Sequence, residues 1–251
     1  MLANGVNIYE AIEIADNQGR TPLFEAVENL NSEDSAMAIQ IIDILCKDRQ
    51  DGGFGANPNV VSYNGQTPLF GAARLGSILA VKALYIAGAE ADLHNGELVK
   101  TDDDVKEIVD NETNQSELNF MTAFKNCCTP LQVALVLGYD DIALLLATKC
   151  NADVNLRTKR KGYTSLHLCA LADRPEMIMD LLTKLDADPM IDDKDGRALL
   201  DMVYQYMPTF VEVFQSILEK MDCIRKLDPS SQNDEQHLVV EDNRKITGKK
   251  T

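Results

Sequence analysis

Six cysteines and three histidines are the side chains of this 251-residue chain best suited to metal or nucleophile chemistry. Cys127 and Cys128 are adjacent, Cys150 follows, and His167 stands two residues before Cys169. A structural zinc site usually shows a pair of cysteines separated by two residues, and no such pair exists. With Cys46 and Cys223 added, the thiols are still too few for a disulfide scaffold in a chain this long. They are expected to be reduced, small, packed side chains. Asp102-Asp103-Asp104 and Asp110-x-Glu112-x-Asn114 could attract calcium. The EF-hand register fails there, with Gln115 at the glycine position and Met121 at the bidentate glutamate. The run DGGFGANP (51–58) is rich in glycine, but no Lys-Ser/Thr follows and no strand precedes it, so it is not a phosphate loop. His94, His167 and His237 have no serine or cysteine near them in a triad order. The expectation is no catalytic residue, no metal, no cofactor and no enzyme.

Charge narrows the partners. Lys and Arg number 24 against 40 Asp and Glu, a formal net charge of −16. Nucleic-acid binding rests on a positive surface, so direct binding to nucleic acid is not expected. Apolar runs fall far short of the roughly 20 residues a membrane helix needs, so no membrane insertion is expected. The first residues, MLANGVNIYEAIEIADNQG, have neither a basic region nor a long apolar one and do not read as a secretory signal. A cytoplasmic or nuclear setting and a monomeric chain follow as expectations.

The elements that must position any site come from an internal repeat. The segments DNQGRTPLFEAV (16–27), SYNGQTPLFGAA (62–73), NCCTPLQVAL (126–135) and KGYTSLHLCA (161–170) share one pattern. A fifth, DKDGRALLDMV (193–203), keeps the glycine and the apolar positions. Aligned on Thr21, Thr67, Thr129, Thr164 and Ala198, they lie 46, 62, 35 and 34 residues apart. Gly19, Gly65, Gly162 and Gly196 stand two before the aligned position, where a tight turn can use positive φ. Threonine caps the free amides of a helix start, and Pro22, Pro68 and Pro130 occupy the first helical position, where a missing N–H costs nothing. A second, more apolar helix follows in each unit: 38–45, 78–86, 141–148 and 177–185. Such a pair exposes an apolar face that only a stacked neighbour can bury.

These motifs resemble the ankyrin repeat, whose T-P-L-H-x-A signature and period near 33 residues they approach. Residues 64–92 match with hardly a gap, CNADVN (150–155) is similar to the G-A-D-V-N repeat end, and Thr164, Leu166 and His167 supply T-x-L-H. The resemblance implies an all-α solenoid of about five stacked helix-turn-helix units with short β-hairpin connections. It places an ankyrin domain over 1–222, with a capping or degenerate repeat at 1–15. The repeats fall at about 16–60, 61–94, 95–155, 156–190 and 191–222. A flexible tail occupies 223–251. Two departures are insertions: about six residues around Asn29–Ala36, and a long one at 97–119. The latter carries eight acidic residues against Lys100 and Lys106, a net −6. It is expected to be a mobile surface loop.

The resemblance also implies a function, protein–protein recognition on the concave face built from hairpin tips and first helices. His167 then bonds neighbouring turns and has a structural role. Arg157, Lys159, Arg160 and Lys161 form a basic cluster in the hairpin before the fourth unit, suited to an acidic partner or to nuclear import. Tyr63, Asn64, Arg74, Arg157, Lys159, Arg160 and Tyr163 are the expected partner-binding residues, since aromatic and arginine side chains supply hot spots more often than others. An adaptor or scaffold is one form of this function. A regulatory or inhibitory domain masking a basic segment, for instance of a transcription factor, is another, as is a cytosolic domain of a larger protein. An enzyme with 97–119 as a lid belongs to a different class and would need a catalytic constellation.

Because 97–119 is polar and acidic, replacing it with a short Gly-Ser linker removes few core contacts and little loop entropy. Thermal unfolding of that variant is expected within a few degrees of the parent. A molten or insoluble product would contradict this.

Overall fold

In the computed structural model, residues 7–31, 35–95 and 127–227 are described. They hold eleven α-helices and no strand. A single turn, α1 (Ile8–Ala11), precedes five helix pairs. These are α2 (Pro22–Glu28) with α3 (Ser35–Cys46), and α4 (Pro68–Arg74) with α5 (Ile78–Ile86). Then come α6 (Pro130–Leu137) with α7 (Asp140–Thr148), α8 (Ser165–Leu171) with α9 (Pro175–Lys184), and α10 (Leu199–Tyr206) with α11 (Val211–Leu227). The expected all-α architecture is present, and its hairpins are hydrogen-bonded turns. The expected insertion at 97–119 lies outside the described residues, as does residues 228–251 of the expected tail. Residues 223–227 of that tail are the last turn of α11.

The chain divides into two compact units, Met1–Met202 and Val203–Thr251. In the second, Val203, Met207 and Phe214 are buried, and the Phe210 and Phe214 rings lie 6.1 Å apart.

In the first unit the helices start as their residues dictate. Pro22, Pro68 and Pro130 open α2, α4 and α6. The Thr67 hydroxyl accepts the Phe70 N–H at 3.1 Å, and Thr129 accepts that of Gln132 at 3.3 Å, each satisfying an amide that has no partner within the helix. Thr21 occupies the same place without a side-chain bond. Leu23, Leu69, Leu131 and Leu166, two after the aligned position, are each at most 1% exposed. Five after it stand Ala26, Ala72, Ala134 and Cys169, all buried. Cys169 therefore fills an alanine slot, where only a small side chain lets neighbouring helices approach.

The backbone repeats as closely as the side chains. Two residues before the aligned position φ is positive at Gly19, Gly65, Gly162 and Gly196, and in the third unit the residue is Cys127, at φ 56°. A left-handed non-glycine residue costs roughly 1–2 kcal/mol, so the turn is imposed on Cys127 by the surrounding stack. In the 51–58 run, a Cβ on Gly53 would lie 2.0 Å from the Lys47 carbonyl oxygen. There the chain folds back on the end of α3, with Gly55 N–H bonding Lys47 O and Ala56 N–H bonding Leu45 O. The glycines serve that close return.

The second helices form the outer layer. Their shared core positions are Ile42 and Leu45 in α3, Val81 and Leu84 in α5, Ala143 and Leu146 in α7, and Ile178 and Leu181 in α9, all buried. Leu84, with no exposed surface, sits in a middle unit with neighbours on both sides. Leu84→Ala is expected to cost about 2–5 kcal/mol in chemical denaturation, the range for leucine truncation in a packed core. A neutral substitution would contradict the alignment of the units.

Candidate functional site

Each unit projects a finger, a turn closed by one backbone bond just ahead of its first helix. Asp16 N–H donates to Arg20 O at 2.9 Å, Ser62 to Gln66 at 3.0 Å, Thr158 to Tyr163 at 2.8 Å and Asp193 to Arg197 at 2.9 Å. In the third unit the same bond joins Asn95 N–H to Cys128 O at 2.9 Å, with residues 96–126 between its ends. The long insertion is thus rooted in the third finger, between the fingers at 62–66 and 158–163.

Polar side chains stiffen these turns. In the first finger Asp16 Oδ1 accepts the N–H groups of Gln18 and Arg20 while Oδ2 accepts the Arg20 guanidinium at 2.7 Å. That guanidinium holds the Asp16 carboxyl at about 2, below the ordinary carboxylate value. Asp193 and Arg197 repeat the arrangement in the fifth finger, and the Asp193 carboxyl is likewise held down by bonds from Arg197 against the cost of burial. Neighbouring fingers are tied through the backbone, Tyr63 N–H to Gln18 O and Lys194 N–H to Lys161 O, both at 2.9 Å. Lys194 Nζ also donates to Lys159 O.

The expected partner-binding residues separate into three groups. Tyr63, 70% exposed, and Asn64 lie open on the second finger. Arg157, Lys159 and Arg160 are exposed on the fourth, where Lys161 sits 3.7 Å from Asp195. Arg74 is half-buried, its guanidinium bonded to both carboxylate oxygens of Glu28 at 2.7 and 2.8 Å. Asn64 and Arg74 meet in one polar cavity of about 140 Å³, which Gln18, Arg20, Glu28 and Gln66 also line. Tyr163 departs from expectation: it is 8% exposed, not an open tip residue. Its ring stacks on His167 with centroids 6.0 Å apart, and its hydroxyl accepts from Arg197 at 3.3 Å. The reason is its place directly before Thr164, held by Arg20, Gln66, Cys128 and Arg197 in the other units, none of them exposed, which sets the ring beside the helix start.

His167 does bond neighbouring turns. Its Nε2 lies 3.0 Å from Arg197 O and must carry the proton, while Nδ1 faces the Thr164 N–H at 3.3 Å and the Thr164 hydroxyl at 2.8 Å. Gln132 does the same one unit earlier, with Oε1 accepting Thr129 N–H at 3.0 Å and Nε2 donating to Leu156 O at 2.7 Å. Asp201 reaches back to Ala198 N–H at 2.9 Å from the equivalent place. Phe24 and Phe70 fill that place with buried rings. A slot that takes phenylalanine, glutamine, histidine or aspartate has a structural role.

A second polar seam was not anticipated in full. Asn59 Oδ1 accepts Glu90 N–H, Asp92 Oδ1 accepts Asp153 N–H and Asn155 Oδ1 accepts Asp188 N–H, at 2.8, 2.9 and 2.8 Å. These bonds run from unit to unit through the A-D-V-N region, and the Asx three residues after Ala56, Ala89 and Ala152 (Asn59, Asp92 and Asn155) is its sequence signal.

Four of the thiols are not poised for reaction. Burial pushes Cys46 up to about 11 and Cys169 up to about 12, and raises Cys128 and Cys150 as well. The nucleophile would be the thiolate, which such burial disfavours. A larger cleft of about 840 Å³ contains Cys46 with Asp43, Lys47, Ala83 and Ile86, away from the fingers. Among the described residues no group of three His, Cys, Asp or Glu side chains gathers to hold a metal, and no helix is long and apolar enough to cross a membrane.

With this geometry, the family model described as Ankyrin repeat matches residues 161–194, the fourth finger with α8 and α9. The comparison with curated proteins gives no match.

Burial is the main reason the His167 imidazole lies below its ordinary value of 6.5. Protonation would also set an Nδ1–H against the Thr164 N–H. The folded state therefore binds fewer protons than the unfolded one, and stability is full above about 6.5 and is lost as pH falls through the depressed folded value. His94, also lowered by burial, adds in the same direction. His167→Gln, which copies Gln132, is expected to keep neutral-pH stability within about 1 kcal/mol and flatten the acid loss, whereas His167→Ala costs about 1–3 kcal/mol. Denaturant melts at neutral and mildly acid pH check both.

Proposed function

The chain is an ankyrin-repeat protein, hence a protein–protein interaction module, and from that premise we propose an adaptor or scaffold that grips a partner protein on the concave face. The partner lies across the fingers and the first helices behind them. One observation carries this reading: exposed Tyr63, Asn64, Arg157, Lys159 and Arg160 stand on fingers whose backbones are bonded to their neighbours. Side chains on a preorganised support lose little conformational freedom on binding, so more of each contact survives as affinity. Arg74 contributes as a fixed Arg74–Glu28 pair at the cavity beside Asn64.

The net charge of −16 favours a second reading, a regulatory domain that masks a basic segment of its partner. The two readings differ in sign. An acidic partner is held by the basic finger, so reversing its charge weakens binding. A basic partner is held by the acidic remainder, so the same reversal strengthens binding.

The decisive experiment is a pull-down from cytosol, at low and high salt, followed by affinity measurement with the captured protein. Arg157→Glu with Arg160→Glu and Tyr63→Ala is expected to weaken binding at least about tenfold, or about 1.4 kcal/mol, without changing the circular dichroism. Tyr163→Ala is expected to lower stability as well, because the ring is buried. If these variants bind as the parent does while deletion of 97–119 or 227–251 abolishes binding, the finger face is not the recognition surface.

A further inference from the structure

The basic finger is one half of a cationic surface that continues onto the fifth finger. Arg157, Lys159, Arg160 and Lys161 are exposed on the fourth, and Lys194 is exposed on the fifth. Lys194 is bonded to the fourth finger twice: its backbone N–H donates to Lys161 O at 2.9 Å, and its ammonium donates to Lys159 O. A Cβ on Gly162 would lie 2.9 Å from the Arg157 guanidinium and 3.0 Å from Lys194 Cγ, so these two side chains flank one glycine. Arg157 Nε also donates to Gly162 O at 3.4 Å. The turn backbones thus gather cations from two fingers into one place.

These charges are incompletely balanced by the fingers themselves. Residues 155–163 contain no Asp or Glu, and 155–163 with 192–197 carry six cations against three carboxylates. Two of the three carboxylates serve Arg197: buried Asp193 at 2.8 Å and Asp195 at 3.1 Å. Asp195 also stands 3.7 Å from Lys161, an exposed pair of little strength. Like charges held close together repel, and an anion placed among them is attracted by several at once.

We propose that the fourth and fifth fingers form a docking site for a short acidic peptide segment of the partner protein. Lys161 and Lys194 join Arg157, Lys159 and Arg160 as its anchors. This site rests on the finger-face reading above and extends it to the fifth finger. Size and charge select the occupant. An extended peptide with a carboxylate at every second residue presents all of them to one side. Its charge stays within the patch. Duplex nucleic acid or an anionic bilayer carries negative charge far beyond two turns, and would lay it against the rest of a chain whose net charge is −16.

Fluorescence anisotropy with the full chain and a short labelled peptide of alternating Glu and Ser tests the proposal, with alternating Lys and Ser as control. The expected result is saturable binding of the Glu peptide at low ionic strength, weakening as salt is added, and no binding of the Lys peptide. Lys161→Glu with Lys194→Glu is expected to weaken binding at least about tenfold with unchanged circular dichroism. Lys159→Glu alone, on an exposed side chain, is expected to weaken it about threefold, so a misfolded double variant leaves the proposal decidable. Asp195→Asn, which removes a negative charge beside Lys161, is expected to tighten it about threefold. The proposal is overturned by a parent chain that ignores the Glu peptide, or by folded charge-reversed variants that bind it equally well. Tighter binding of a long duplex or of phosphatidylserine vesicles than of the peptide also overturns it. Absence of peptide binding, with a captured partner still sensitive to the finger variants, removes this site alone. Peptide binding as expected, with a captured partner that ignores those variants, refutes the finger-face reading for that partner.

Discussion

No helix pair in this chain can bury its own apolar face, and the fold follows from that constraint. A first helix of seven or eight residues is buried nearly all round in the middle units, six residues of α4 and seven of α6, and these must find neighbours. Leu69 and Ala72 of α4 and Val81 and Leu84 of α5 are all fully buried, a level of burial that two isolated short helices cannot provide. Stability is accordingly a matter of nearest neighbours, and a change in one unit is felt first in the units beside it. The same constraint explains why the slots five after the aligned threonine hold alanine or cysteine. A larger side chain there would hold two units apart along their whole contact.

Stacking also buries backbone groups at the turns, and two polar seams satisfy them. On the finger side, Gln132 and His167 each hold an amide of their own unit and a carbonyl of the next. In the connections that lead from each second helix to the next finger, Asn59, Asp92 and Asn155 accept amides from the following unit. A buried N–H or C=O without a partner costs about 1–3 kcal/mol, so these side chains fix the register in which units stack as firmly as the apolar faces do. The neutral state of His167 is a consequence of its place in the seam, with an acceptor on one ring nitrogen and donors on the other.

The proposed recognition surface uses positions the stack leaves exposed. The finger tips at Tyr63, Asn64, Lys159 and Arg160 are exposed, on turns that the Ser62 and Thr158 hydroxyls and neighbouring backbones hold. The basic finger stands out in an acidic chain, which gives any charged partner a strong orientational preference. Asn95 and Cys128, bonded to each other on either side of the segment that holds the 97–119 insertion, belong to the finger between these two groups.

The sequence by itself determined what depends on local chemistry. Thr-Pro marks three first-helix starts and Thr164 a fourth, glycine or its substitute marks each finger's left-handed turn, and the apolar spacing marks both helices, because capping, φ and helical periodicity act within a few residues. His167 as a structural residue was legible too, since Phe24, Phe70 and Gln132 share its slot. Tertiary structure alone decided the rest, for one reason: exposure at a repeat position depends on which neighbour stands beside it. Tyr163 looks like a finger aromatic, but it stands directly before the helix start, where His167 and Arg197 bury it. Arg74 reads as a free cation on a first helix until Glu28 of the preceding unit is placed next to it. Ile41 and Met177 each stand one before a shared core position of their helices, yet Ile41 is 41% exposed and Met177 4%.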